Sequence, residues 1–318
     1  APNRAMVLLD NASPHSPQIF LRGNPGVKGE TVPRRFLAVL SEGERKPFGG
    51  GSGRLEMARA VADPRNPLTA RVMVNRIWQR LFGSGLVTTP SDFGVRAEPP
   101  SHPGLLDWLA AEFVDSGWSV KRLIRGIITS STYCQGETLH PEYAGRDPDN
   151  RLLWQMNRKR LDFEAMRDSV LSVSGVLSLR QGGRSVRIDE DPEANRRTVY
   201  AFVNRQNLPN LFRTFDFAGP DTTCPQRFKT TVPQQALFLL NSPFIEAQAK
   251  RLAKRDEVRA VVDESRIRVM YHLAYQREPS PRELDLARRF VDEFVPGAVA
   301  WERLGQSLLI SNEMMFVD

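Results

Sequence analysis

The sequence predicts a mainly α-helical domain with a small β-rich arm at its N-terminus and a second short β or irregular insertion. Three observations carry this. Apolar residues recur at helical spacing through most of the 318 residues, between N-cap residues and glycines. Short β-branched or apolar runs set among Asn, Pro and Gly mark the stretch before residue 49 and again 176–229. The 41% apolar and 25% charged composition suits a chain that buries a sizeable core.

Taken in order, residues 1–48 read as a connector. "AMVLL" and "QIFLR" are short apolar runs separated by turn residues, and they are expected to pair as a ribbon. "GGGSG" (49–53) reads as a linker into the helical part, 49–318. It lacks the G-x-x-x-x-G-K-[ST] spacing of a phosphate loop. "RLEMARAVAD" starts helical periodicity with Leu55, Ala58, Val61 and Ala62 on one face. "NPLTARVMVNRIWQRLFG" has Asn66 as cap, Pro67 at the first helical position, Leu68, Val72, Trp78, Leu81 and Phe82 inward, and Gly83 as the stop. Helices from Ser101 to Gly117, from Ser119, and up to Gly175 follow the same grammar. Within 176–229, "SVRI" and "RTVYAFV" predict the second β or irregular patch. Helices near 232–240, 243–254 and 256–276 come next, then one opened by a Ser280/Glu283 capping box, then a last one in "WERLGQSLLISNEMMF".

The net charge is +7, and only seven of the 44 basic residues are lysine. Arginine favours bidentate pairing with carboxylates or oxyanions, so an anionic or glycan ligand and an internal ion-pair network are both open readings. No basic block or RNP-like motif points to nucleic acid, and no apolar stretch reaches the length of a membrane span. "APNRAMV" has neither a start methionine nor a signal-peptide pattern, so the chain is expected to be part of a longer protein. Cys134 and Cys224 form no C-x-x-C, which removes the local motifs of zinc ribbons, thioredoxin-like redox sites and c-type haem attachment. They are expected as free thiols, buried in the way isolated cysteines commonly are.

Three groups of residues are candidate ligand-binding positions. The first is "FDFAGPDTTCPQRFKTTVPQQALFLLN" (215–241), where Thr231 and Gln234 read as a capping box around Pro233. Asp216, Asp221, Arg227, Lys229 and Thr230 exceed what a cap needs, and Arg227 with Lys229 ahead of a helix N-terminus would suit an anion. The competing reading pairs Arg227 with Asp216 or Asp221. The second group is Asp92 and His102, near Glu98 and Asp107, with no spacing that fixes a metal-ligand set. The third is Asn75, Arg76 and Trp78, either a core edge or a stacking site for a sugar or aromatic ligand.

The stretches "RLEMARAVADPRNPLTARVMVNRIWQRLFGSGLVTTPSDFG", "PPSHPGLLDWLAAEF", "GWSVKRLIRGIITSSTY", "RLLWQMNRKRLDFEAMRDSVLSVSG" and "RFKTTVPQQALFLLNSPF" together resemble the planctomycete surface domain family, a C-terminal domain of unknown function. "IFLRGNPGVKGETVP" resembles the connector before it. The resemblance implies the end of a large exported, extracytoplasmic protein, behind a second uncharacterised domain and a cytochrome-c-like haem domain. Haem would then belong to those upstream domains, and no cofactor is expected in this chain. Histidines frequent in the family near Arg80 and Leu81 and at Ile124 are not present here, while Cys224 fits the family pattern and Cys134 does not. The expected role is a binding or scaffolding module whose partners are upstream domains of the same polypeptide. The alternative is a hydrolase or redox-partner enzyme acting on polysaccharide, with Asp92, His102, Asp216, Asp221 and Arg227 as its candidate residues.

Overall fold

The computed structural model describes residues 7–41, 43–136, 140–294 and 297–317. Among them are 14 α-helices and two antiparallel two-stranded sheets, so the fold is mainly α with small strand regions. The chain divides into two compact units, residues 1–135 with 140–154, and residues 136–139 with 155–318.

In the first unit, the expected ribbon is half right. Gln18–Phe20 is a strand, but it pairs with Lys28–Thr31 (Gln18 opposite Thr31, Phe20 opposite Lys28) and not with the "AMVLL" run. Val7–Leu9 form no strand, and residues 5 and 6 of that run lie outside the described residues. The glycine run 49–53 is a tight turn tied by side chains. Gly50 N donates to Glu56 Oε1 at 2.6 Å, Ser52 N to Asp10 Oδ2 at 2.8 Å, and Arg34 Nη1 to the Gly51 carbonyl at 3.1 Å. Gly53 closes the turn at φ 78°, where a Cβ would also lie 2.9 Å from Phe48 Cβ. Helix Arg54–Val61 then begins but buries none of its residues, so Leu55, Ala58, Val61 and Ala62, expected inward, are exposed.

Helix Pro67–Phe82 starts as expected, with Asn66 Oδ1 accepting from Leu68 N at 3.0 Å, and stops at Gly83 in the left-handed region (φ 87°). It packs with helices Pro103–Asp115 and Val120–Ile128 around Val74, Trp78, Phe82, Leu106, Phe113, Leu123 and Ile127. Leu68, Val72 and Leu81 are only half-buried, because the buried stripe runs through Ala70, Val74 and Trp78.

The second unit is built on helices Phe163–Val173, Pro243–Ala253, Asp263–Tyr275 and Ala298–Leu309, with Leu171, Ile245, Leu252, Met270 and Leu309 fully enclosed. Gly305 lets the last of these helices approach Pro243–Ala253 closely, since a Cβ there would sit 3.1 Å from the Ala249 carbonyl oxygen. The helix expected over 256–276 is two, Asp256–Arg259 and Asp263–Tyr275. The capping box at Ser280 and Glu283 forms in full. Residues 176–229 are largely irregular, with isolated bridges between Ser178 and Arg196 and between Val186 and Ala201. Strand Lys159–Arg160 pairs with Phe316–Val317.

Candidate functional site

The polar stretch 214–235 lies wholly in the second unit and is organised by bonds that were not legible locally. Helix Pro233–Asn241 has Val232 as its N-cap and receives no side-chain cap, so the Thr231/Gln234 box does not form; both residues are exposed. The neighbouring glutamine does the work instead. Gln235 is buried, its Nε2 donates to the Thr214 carbonyl at 2.8 Å, and its Oε1 accepts from Arg160 Nη1 at 2.7 Å. The same Arg160 nitrogen reaches the Thr230 carbonyl at 2.6 Å.

Asp216 sits at φ 57°, a region Asp tolerates better than most residues, and its carboxylate accepts from Thr230 N and Thr230 Oγ1, each at 2.8 Å. Arg227 pairs with neither Asp216 nor Asp221. It makes a two-pronged ion pair with Glu164, both bonds 2.8 Å, and lies over the Phe217 ring at 4.6 Å. The hydrogen bonds that Arg227 donates to Glu164 raise the Arg227 pKa against the opposing effect of burial. Asp221 and Lys229 are exposed. Phe215 is buried against Phe163 and Phe238, with ring centroids 5.2 and 5.3 Å away, so this loop is pinned to the core by its aromatic residues and to helix Phe163–Val173 by Arg227.

The other candidates belong to the first unit. Asn75 is fully buried and spans the chain at Val87, donating to its carbonyl at 3.0 Å and accepting from its N–H at 2.9 Å. Gly85 makes room for this bridge, for a Cβ there would fall 2.5 Å from Val87 O and 2.8 Å from Asn75 Nδ2. Trp78 is buried and stacked on Phe82 at 4.2 Å, which leaves it no open face for a ligand, while Arg76 is exposed. Asp92 closes a local turn by accepting from Gly94 N at 2.9 Å, and His102 Nδ1 lies 3.0 Å from Ser101 Oγ at the start of helix Pro103–Asp115. Asp107 pairs with Arg71 at 2.7 Å and Glu98 with Arg151 at 3.4 Å. Among the described residues no group of three or more His, Cys, Asp or Glu is placed to hold a metal ion.

A cavity of about 920 Å³ runs along helix Pro243–Ala253, and none of the candidate residues lines it. Its cations are Lys250, Arg251, Lys254 and Arg255; its carboxylates are Glu193, Glu246, Asp256 and Glu257. Arg251 pairs with Glu193, Lys250 with Glu246 at 2.8 Å and Arg255 with Glu257 at 2.8 Å, so the charges are matched. Helix Phe163–Val173 also carries a buried cation, Arg167, which donates to the carbonyls of Ala194 and Arg196 and to Thr198 Oγ1. Burial pulls its pKa from 12.5 to about 10, still far enough above neutrality for the guanidinium to stay charged. Its role is to hold the irregular stretch against the helix.

The most unusual surface runs from the arm through helix Arg54–Val61. Thirteen large apolar residues between Val7 and Val61 are exposed, and no apolar residue of that stretch is buried. Phe36, Leu40 and Phe48 reach only partial burial. Cys134 and Cys224 are free thiols and both are exposed, contrary to the expectation of burial.

No described helix is long and apolar enough to cross a membrane. Neither curated proteins nor solved structures give a match to the chain. The family model PSD1, "Protein of unknown function (DUF1553)", does match, over residues 53–291, and the chain therefore belongs to that family.

Proposed function

We propose that this chain is a binding or scaffolding module, the C-terminal part of a larger exported, cytochrome-linked surface protein, and that its arm docks on upstream domains of the same polypeptide. The observation that carries the reading is the arm's apolar surface. Leu37, Val39 and Leu55 are 58%, 87% and 59% exposed, and they are three of thirteen such residues. Exposed apolar side chains in that number are what a protein–protein contact covers. A two-stranded hairpin is marginal in water without such cover. The alternative of an enzyme on polysaccharide draws less support, because Asp216 and Arg227 are already engaged by Thr230 and Glu164. Extracytoplasmic location and a haem in the upstream part belong to the same proposal.

The test is a calorimetric titration of this chain with separately produced upstream domains. The account expects micromolar binding that weakens about tenfold or more in a Leu37→Ser/Val39→Ser/Leu55→Ser variant with an unchanged circular dichroism spectrum. Equal binding by variant and parent, or no binding at all, would remove the arm from the function.

A further inference from the structure

The ribbon of the arm has two edges, and they are not alike. Val32 N donates to the Pro17 carbonyl and Leu21 N to the Val27 carbonyl, each at 2.9 Å. Hydrogen bonding alternates along an antiparallel strand, so positions 17, 19 and 21 face strand Lys28–Thr31 while Gln18 and Phe20 face away from it. The N–H and C=O of Gln18 and the N–H of Phe20 therefore point out of the ribbon, and none has a partner among the described residues. On the other strand the cross-strand partners of these two residues, Thr31 and Lys28, face outward in the same way.

Open edges of this kind are commonly blocked by charge, by a bulge or by proline. Strand Lys28–Thr31 has the first two. Lys28 and Glu30 are exposed on it, and the register sets Gly29 and Glu30 together opposite Ile19, an extra residue that bends the strand. Strand Gln18–Phe20 has neither. Its side chains are uncharged, with Ile19 43% and Phe20 51% exposed. Pro17 does not block it, since position 17 faces the other strand.

The small size of this edge decides what it takes. Three outward groups, each bond worth little net of the water it replaces, hold a separate molecule no more tightly than about millimolar. A segment tethered to the same polypeptide meets the edge at an effective concentration of that order. A third strand is also what a two-stranded ribbon lacks for stability in water.

We propose that an extended, uncharged, apolar segment of the upstream polypeptide adds to the outer edge of strand Gln18–Phe20 as a third strand. Its backbone bonds to Gln18 and Phe20, and its side chains alternate between the two faces of the ribbon, beside Ile19 and Phe20. This mode of docking rests on the reading that the arm meets upstream domains.

The test is residue-resolved amide hydrogen exchange on the full-length protein and on this chain alone. The Gln18 and Phe20 amides should exchange about a hundredfold more slowly in the full-length protein, while those of Lys28 and Thr31, on the opposite edge, change by less than about threefold. Gln18→Pro deletes an outward N–H and none of the ribbon's backbone bonds. In the full-length protein it should speed Phe20 exchange about tenfold or more, with Leu21 exchange in the isolated chain unchanged. Equal slowing at both edges, or a Gln18→Pro variant in which Phe20 stays slow, would overturn strand addition and leave the docking itself standing. No slowing at either edge would overturn both. Slowing of Gln18 and Phe20 in the isolated chain that grows with its concentration would put a second copy at the edge and overturn the tethered strand.

Discussion

Helices Arg54–Val61 and Pro67–Phe82 are near neighbours in sequence, and both carry apolar residues at helical spacing. The second buries Ala70, Val74, Trp78 and Phe82; the first buries nothing. The same contrast extends outward, from an arm with no buried apolar residue among the described residues to a helical remainder with well-enclosed cores. Periodicity says that a helix has an apolar face, not that this chain supplies the surface to cover it. Where that surface is missing, the apolar face reads as an interface.

Substitutions should separate the two regions by size of effect. The largest loss is expected at Trp78→Ala, which empties a buried, stacked position and should cost about 3–5 kcal/mol in urea unfolding. Asn75→Leu comes next, at about 2–3 kcal/mol, because it strands the buried N–H and carbonyl of Val87. Arg227→Ala should cost about 2 kcal/mol through the Glu164 pair, and a double-mutant cycle with Glu164→Ala should show strong coupling. If Arg227→Ala were silent, the pair would be a surface contact and the loop would be held by its phenylalanines alone.

A smaller effect should appear in acid. Arg277, joined to Glu283 at 2.7 Å, holds that carboxyl down from 4.5 to about 2. The folded value lies below the unfolded one, so the ionised form favours folding. That contribution is complete above about pH 4.5 and fades as pH falls toward about 2. The urea midpoint of Arg277→Gln should therefore lose less than that of the parent between pH 5 and about pH 2; parallel losses would mean the pair contributes nothing. The smallest effects belong to the arm and the helix after it, where Val39→Ser or Leu55→Ser should change stability by less than about 0.5 kcal/mol. A loss of 2 kcal/mol there, on the scale of a buried apolar side chain, would mean the arm has an inside after all.

How far the sequence reaches follows from the range of each interaction. Helix existence and the caps at Asn66, Ser119 and Ser280 were legible, because each acts within three residues. The Thr231/Gln234 pattern failed because the helix takes Val232 as its N-cap, one residue past Thr231, while Arg160 and Thr214, neither near it in sequence, hold the adjacent Gln235. Glu164 and Arg227 are 63 positions apart, so no spacing rule joins them. Asn75 looked like a polar position beside an aromatic residue, and its actual use at Val87 depends on the turn through Gly85.

The central claim is that the arm is covered by the rest of its own polypeptide. Amide hydrogen exchange across residues 18–31 tests it most directly, comparing this chain alone with the same residues inside the full-length protein. The account predicts that Ile19, Phe20 and Leu21 exchange about a hundredfold more slowly in the full-length protein, as expected for a marginal hairpin gaining a packed face. Equal exchange in the two, with the helices of 67–128 equally protected in both, would contradict it.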